Sequence, residues 1–65
     1  MSDTEGWKKS DDIWEKVIGS HWFTISEIEG PYYLRVNRML LAKRPTLREC
    51  QILAHATARL WEEKP

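Results

Sequence analysis

The sequence is poor in the residue types that build chemical sites. Its 65 residues include one cysteine and three separated glycines, and ten acidic residues balance ten basic ones. Cys50 has no partner for a disulfide within the chain, and the spacings of common metal ligands, C-x-x-C and H-x-x-x-H, are absent. Glycines so far apart cannot form a phosphate-binding loop. No apolar run is long enough to span a membrane, and a neutral total attracts neither nucleic acid nor anionic lipid.

Candidates for catalysis are few. Cys50 and His55 lie five positions apart, which places them on different sides of one helix, and His21 is distant in sequence. Asp11 and Asp12 are adjacent and would face different ways, so helix capping explains them better than a carboxylate site. The sequence therefore predicts no enzyme, no cofactor, no metal site and no small-molecule substrate.

The size and composition predict a single small domain. Hydrophobic residues make up 42% of the chain, which is typical of a folded domain, and four tryptophans are present. A chain of this length buries only about 60% of the surface that its unfolded form exposes, so a partner could add stability. We expect a flexible arm over residues 1–9, one domain over residues 10–63 and a cytoplasmic location.

Capping motifs and breakers predict an all-α fold. Thr24 and Glu27 match a T-x-x-E capping box, and the same pattern recurs at Thr46 and Glu49. Gly30 and Pro31 would end one helix and start the next. The expected fold is a small single-domain bundle of three to four helices, two short and two long, with tight Gly/Pro corners. The predicted helices cover residues 10–19, 24–30, 31–43 and 46–61.

The predicted helix 31–43 has two apolar surfaces, and one of them suggests a partner. Its broad side would face the core, whereas Leu34 and Leu41 would lie on another side, close to Arg38. Aromatic and arginine residues often anchor protein interfaces. The favoured hypothesis is a non-enzymatic interaction, assembly or adaptor module that binds a protein or a second copy. The predicted contact residues are Leu34, Arg35, Arg38, Leu41, Arg44 and Arg48.

The alternative hypothesis is DNA binding. FTISEIEG followed by PYYLRVNRMLLAKR resembles the helix pair of helix-turn-helix or winged-helix regulators, although Gly30 and Pro31 leave a shorter turn than that family has. The stretch from Gly30 to Arg48 contains five basic residues and no acid. The resemblance implies that helix 31–43 would enter the major groove. The corresponding contact residues are Tyr32, Arg35, Asn37, Arg38, Lys43 and Arg44.

The carboxy-terminal third carries a second resemblance. TLRECQILAHATARLWEEKP, residues 46–65, looks like the closing helix of small bacteriophage tail-assembly proteins. The motif is generic and implies an accessory role in assembly without catalysis. It is a variant of the interaction hypothesis.

Overall fold

Residues 5–62 fold into a five-stranded antiparallel sheet with one helix on one of its faces. The computed structural model describes residues 5–62. Neighbouring strands in the sequence are neighbours in the sheet, in the order β1-β2-β3-β4-β5. The strands are β1 Lys8–Ser10, β2 Ile13–Ile18, β3 His21–Glu27, β4 Tyr32–Val36 and β5 Met39–Arg44, and the helix α1 is Leu47–Glu62.

The prediction of an all-α bundle is wrong, because the residues before position 46 form strands. In β3, buried Phe23 and Ile25 alternate with residues that point to the other face. In β4, Leu34 and Val36 are buried in the same alternation. This period of two is the signature of a strand with one covered face, and it outweighs the helical spacing that the capping motifs favoured.

The predicted helix starting at Thr24 is wrong, because this segment is part of β3. Thr24 lies in the middle of β3, so its hydroxyl caps no helix. The predicted helix 10–19 is also wrong. Ile13 and Val17 lie on one face of β2, and Trp14 and Ile18 on the other, because side chains alternate between the two faces of a strand.

Three two-residue hairpin loops set the register of the sheet. Gly19 and Ser20 connect β2 to β3, and Asn37 and Arg38 connect β4 to β5. Gly19, Asn37 and Arg38 all have positive φ, at 64°, 49° and 75°. Positive φ at both loop positions is the requirement of a type I′ turn, whose twist matches that of the flanking strands. The Asn37–Arg38 loop meets this requirement, whereas in the other two loops the first residue alone has positive φ, Gly19 in the β2–β3 loop and Asp11, at 55°, in the β1–β2 loop.

Helix α1 covers one face of the sheet and closes the core. Cys50, Ala54 and Ala58 are buried on the side that faces the sheet. The small alanine side chains let the helix approach the large side chains of β3 and β4 closely. The buried core residues are Phe23, Ile25, Leu34, Val36, Cys50, Ala54 and Ala58.

The last predicted helix is confirmed. Thr46 is the N-cap, since its Oγ1 accepts a hydrogen bond from the Glu49 backbone N–H at 3.2 Å. The Thr46 hydroxyl also donates to the Glu49 carboxylate at 2.9 Å. The helix runs to Glu62, within one residue of the predicted end.

Strand β5 forms one edge of the sheet and is irregular. Leu34 pairs with Ala42 and Arg35 pairs with Leu40, so Leu41 is an extra residue that forms a β-bulge. Leu41 packs half-buried against the core, whereas Leu40 is 60% exposed.

Two further expectations concern the ends of the chain and the absence of a membrane span. Residues 1–4 of the predicted arm, and residue 63 at the predicted domain end, lie outside the described residues. Across residues 5–62, no helix has both the length and the hydropathy that a membrane crossing requires.

Candidate functional site: the open face of the sheet

The face of the sheet opposite α1 has no cover within residues 5–62. We call it the open face. Strand pairing arranges its side chains in rows that cross the sheet. One row is Lys8, Glu15, Thr24, Arg35 and Leu40, the next is Ser10, Ile13, Ser26, Tyr33 and Lys43, and a short third row is Val17 and Trp22.

The open face mixes charged, polar and exposed apolar side chains. Ile13 is 42% exposed, Val17 64% and Trp22 37%, and Leu40 is exposed at the edge. Val17 and Trp22 are paired neighbours, whereas the central row of Glu15, Thr24 and Arg35 separates them from Ile13, so the apolar side chains frame a charged centre.

A cleft of about 310 Å³ lies on the β1–β4 part of the open face. Trp22 and Ile13 provide its apolar walls, and Thr24, Ser26 and Arg35 provide polar groups. The remaining lining residues are Ser10, Asp11 and Glu15. The cleft can therefore receive a side chain that has both an apolar part and a charged end.

Two charged groups in the cleft differ in their bonding. The Trp22 indole Nε1 donates to Glu15 Oε1 at 3.3 Å, which fixes the indole and the carboxylate side by side. Within residues 5–62, the Arg35 side chain makes no hydrogen bond or ion pair. Its guanidinium has five donors that suit a carboxylate, so it is free to bind an acidic group from outside.

Charge divides the open face into two halves. The β4–β5 half carries Arg35 and Lys43, with Arg38 at the adjoining hairpin loop, and Lys43 Nζ lies 5.8 Å from the ring centroid of Tyr33. The β1–β2 half carries Glu15, and Asp11 belongs to its hairpin loop and lines the cleft. Lys8 is the one base in the β1–β2 half of this face. The face is therefore basic on one side and mainly acidic on the other.

The predicted partner-binding residues do not form one surface. Leu34 is fully buried beneath α1, so it cannot contact a partner, and Leu41 packs half-buried at the bulge. Arg35 lies on the open face, and Arg38 is exposed at the β4–β5 loop. Arg48 is exposed in the first turn of α1, on another side of the molecule.

The residues of the DNA-binding alternative are divided in a similar way. Tyr32 faces α1 and packs edge-to-face on Trp14, with ring centroids 5.9 Å apart. Asn37 Oδ1 accepts from the Trp22 backbone N–H at 3.0 Å, so this side chain stabilises the hairpin loop. Arg44 donates to the Lys43 carbonyl at 2.8 Å. Of the predicted DNA contacts, Arg35 and Lys43 share the open face.

Sequence reasoning missed several residues of the open face. Trp22, Thr24 and Ser26 occupy alternate positions between buried residues of β3, and Tyr33 does the same in β4. The signal that could have found them is the alternation in HWFTISE and YYLRV. The missed lining and row residues are Ile13, Glu15, Trp22, Thr24, Ser26 and Tyr33.

The residues considered for catalysis lie in separate surroundings. Cys50 is buried, and its thiol donates to the Tyr32 carbonyl at 3.7 Å. Burial raises the pKa of the Cys50 thiol, an effect that nearby Arg44 partly offsets. His55 Nε2 lies 3.0 Å from Lys16 Nζ, between α1 and β2. Asp11 and Asp12 form a hairpin loop and not a helix cap.

No family model, curated protein or solved structure matches this chain.

Proposed function

We propose that the chain is a small, non-enzymatic interaction or assembly module that binds a protein through the open face of its sheet. The observation that carries the proposal is the contrast within β3. Phe23 and Ile25 are buried by α1, whereas Trp22, on the opposite face, is 37% exposed and has no covering element within residues 5–62.

The composition of the open face supports a protein partner. Tryptophan, tyrosine and arginine are the side chains most enriched at the centres of protein interfaces, and Trp22, Tyr33 and Arg35 lie on this face. Exposed Ile13, Val17 and Leu40 surround them and would exclude water on contact. The Arg35 guanidinium has no side-chain partner among the described residues 5–62, which favours an acidic group at the centre of the bound surface.

Site-specific photo-cross-linking in the native cell tests this proposal. A photoreactive residue replaces Val17 on the open face or, as the matched control, Leu60 on α1. These positions are 64% and 66% exposed. We expect discrete protein adducts from position 17 that disappear when Arg35→Glu is added and persist when Arg59→Glu is added. Equal adducts from both positions, or none from position 17, would contradict the proposal.

Nucleic acid binding is the second candidate, and one observation favours it. The β4–β5 hairpin places Arg35, Arg38 and Lys43 together, in a stretch that has no acid between Gly30 and Arg48. Some DNA-binding proteins place strands in a groove, so the loss of the predicted helix pair does not remove this route. Glu15 and Asp11 on the neighbouring half would repel phosphates, and this repulsion favours the protein partner.

A titration against random duplex DNA at low and moderate salt separates the two candidates. Under the main proposal we expect no salt-sensitive binding. Strong binding that weakens with salt, and that Arg35→Glu removes, would favour the nucleic acid alternative. An accessory role in assembly, as the resemblance of residues 46–65 implies, is a variant of the main proposal.

A further inference from the structure

We propose that the partner of the open face is a second copy of this chain, packed face to face about a two-fold axis that runs along β3. This inference rests on the proposed function, because it identifies the partner of the same surface.

The order of residues in the central row supports a two-fold axis. Glu15 on β2 and Arg35 on β4 both pair with Thr24 on β3, so they lie on either side of it at the same level. A two-fold axis along β3 exchanges the β2 side of one copy with the β4 side of the other. Arg35 of each copy then lies over Glu15 of the other copy, and the interface gains two ion pairs of opposite charge.

The other rows are compatible with the same axis. In the neighbouring row, Ile13 on β2 of one copy meets Tyr33 on β4 of the other, so two apolar groups come together. Trp22 lies on β3, close to the axis, and the two indoles can pack against each other in an offset geometry. An isologous interface requires such self-complementarity, since each patch binds a copy of itself.

The charge division of the face selects this axis over its main competitor. A two-fold axis running across the strands would place the basic β4–β5 half of one copy over the same half of the other. Arg35 and Lys43 would then face like charges, which is unfavourable. The axis along β3 instead places the basic half over the half that carries Glu15 and Asp11.

The size of the face predicts the strength of the dimer. Five strands about 4.8 Å apart and three rows of side chains about 7 Å apart give a face of roughly 20 by 20 Å. Stable interfaces bury about 800 Å² per partner, so this flat area is below the usual range even when side-chain relief is included. We expect reversible dimerisation at micromolar or higher concentration, with the two sheets about 10 Å apart.

Charge reversal tests the arrangement directly. Sedimentation of the full chain over a wide concentration range should show a monomer–dimer equilibrium. Arg35→Glu and Glu15→Arg should each weaken self-association at least tenfold, because each creates two contacts between like charges. Arg59→Glu, a change of the same charge on the exposed side of α1, should leave the equilibrium unchanged.

Mixing the two single variants provides the decisive result. A copy carrying Arg35→Glu has acids at both positions beside Thr24, and one carrying Glu15→Arg has bases at both, so their mixture should form heterodimers although each alone is monomeric. Recovery on mixing also shows that both variants are folded. The double variant with both reversals should dimerise as the wild type does.

Several results would overturn the inference. They are a wild type that is monomeric at all concentrations, reversals that leave a dimer intact, and a mixture that stays monomeric. If the wild type is monomeric but cross-linking at position 17 still captures a different protein in an Arg35-dependent way, the proposed function stands and the self-association fails. If neither occurs, both fail.

Discussion

The two faces of the sheet consist of alternate residues of the same strands, but one face is buried by α1 and the other is exposed. On the covered face, Phe23, Ile25 and Leu34 are wholly buried against α1 and carry the folding free energy. On the open face, the alternate residues of the same strands include Trp22 and Arg35, which add little to that core. The contrast shows that β3 specifies both the fold and the surface, and that substitutions one residue apart should have separable effects.

The largest expected effect comes from a break in the covered face. Phe23→Ala should reduce the free energy of unfolding by about 3–5 kcal/mol, because it leaves a cavity beneath α1. A domain of this size has a total stability of roughly 3–10 kcal/mol, so much of the variant should be unfolded. Chemical denaturation measures the loss.

Trp22→Ala is the matched change on the open face. Trp22 is already 37% exposed, so we expect a loss of only about 1–2 kcal/mol. The same variant should weaken partner binding strongly, whereas Phe23→Ala should affect binding only through unfolding. Equal losses of stability from the two variants would argue against the division between the faces.

The β4–β5 loop, which holds both faces in register, should give the next largest effect. Asn37→Ala should cost about 1–2 kcal/mol, because it removes the acceptor for the Trp22 N–H and disfavours positive φ. Arg38→Gly should instead stabilise by about 0.5–1 kcal/mol, since glycine adopts φ 75° without steric cost. Thermal unfolding of the two variants should shift in opposite directions, and a shift in the same direction would contradict this account.

The two T-x-x-E motifs provide a smaller and sharper comparison. Thr46 caps α1, so Thr46→Ala should cost about 1 kcal/mol and Thr46→Ser should be nearly neutral. Thr24 lies in β3, where its β-branched side chain favours the strand conformation. Serine and alanine at position 24 should therefore be about equally unfavourable, by less than about 1 kcal/mol. Rescue by serine at position 24 would show that Thr24 acts through its hydroxyl.

The smallest expected effect on stability comes from the ionisation of Cys50, which is buried between α1 and the covered face of the sheet. Burial raises the pKa of its thiol, so the folded state favours the neutral form more than the unfolded state does. The corresponding stability is present below the ordinary pKa of a cysteine thiol and is lost as pH rises through the raised pKa of the folded state. Denaturation at neutral and alkaline pH should therefore show a larger loss for the wild type than for Cys50→Ala. An equal loss would indicate no contribution from the thiol.

Thiol reactivity measures the same difference between the faces. Native Cys50 should react slowly with a thiol reagent, because the group is both buried and protonated. Val17→Cys in a Cys50→Ala background should react fast, since position 17 is 64% exposed. Comparable rates would mean that α1 leaves the sheet often.

The sequence predicted the end of the chain better than its middle, for a physical reason. At Thr46 the capping motif precedes sixteen residues without glycine or proline, so local and periodic signals agree on α1. At Thr24 the same motif lies in a stretch whose apolar residues alternate, and burial beneath α1 decides its conformation. Arg35 was predicted as a contact residue, but Trp22 and Glu15 were not, because their proximity depends on strand register.

The bulge at Leu41 affects the tendency of the protein to aggregate through the edge of its sheet. A sheet edge with exposed Met39 and Leu40 could otherwise recruit strand after strand into a fibre. The extra residue breaks the even spacing of donors and acceptors that such growth needs, and Lys43 and Arg44 add repulsion between like edges. Lateral growth is thereby discouraged, whereas the proposed face-to-face dimer would be closed and finite, because each copy would use its open face once.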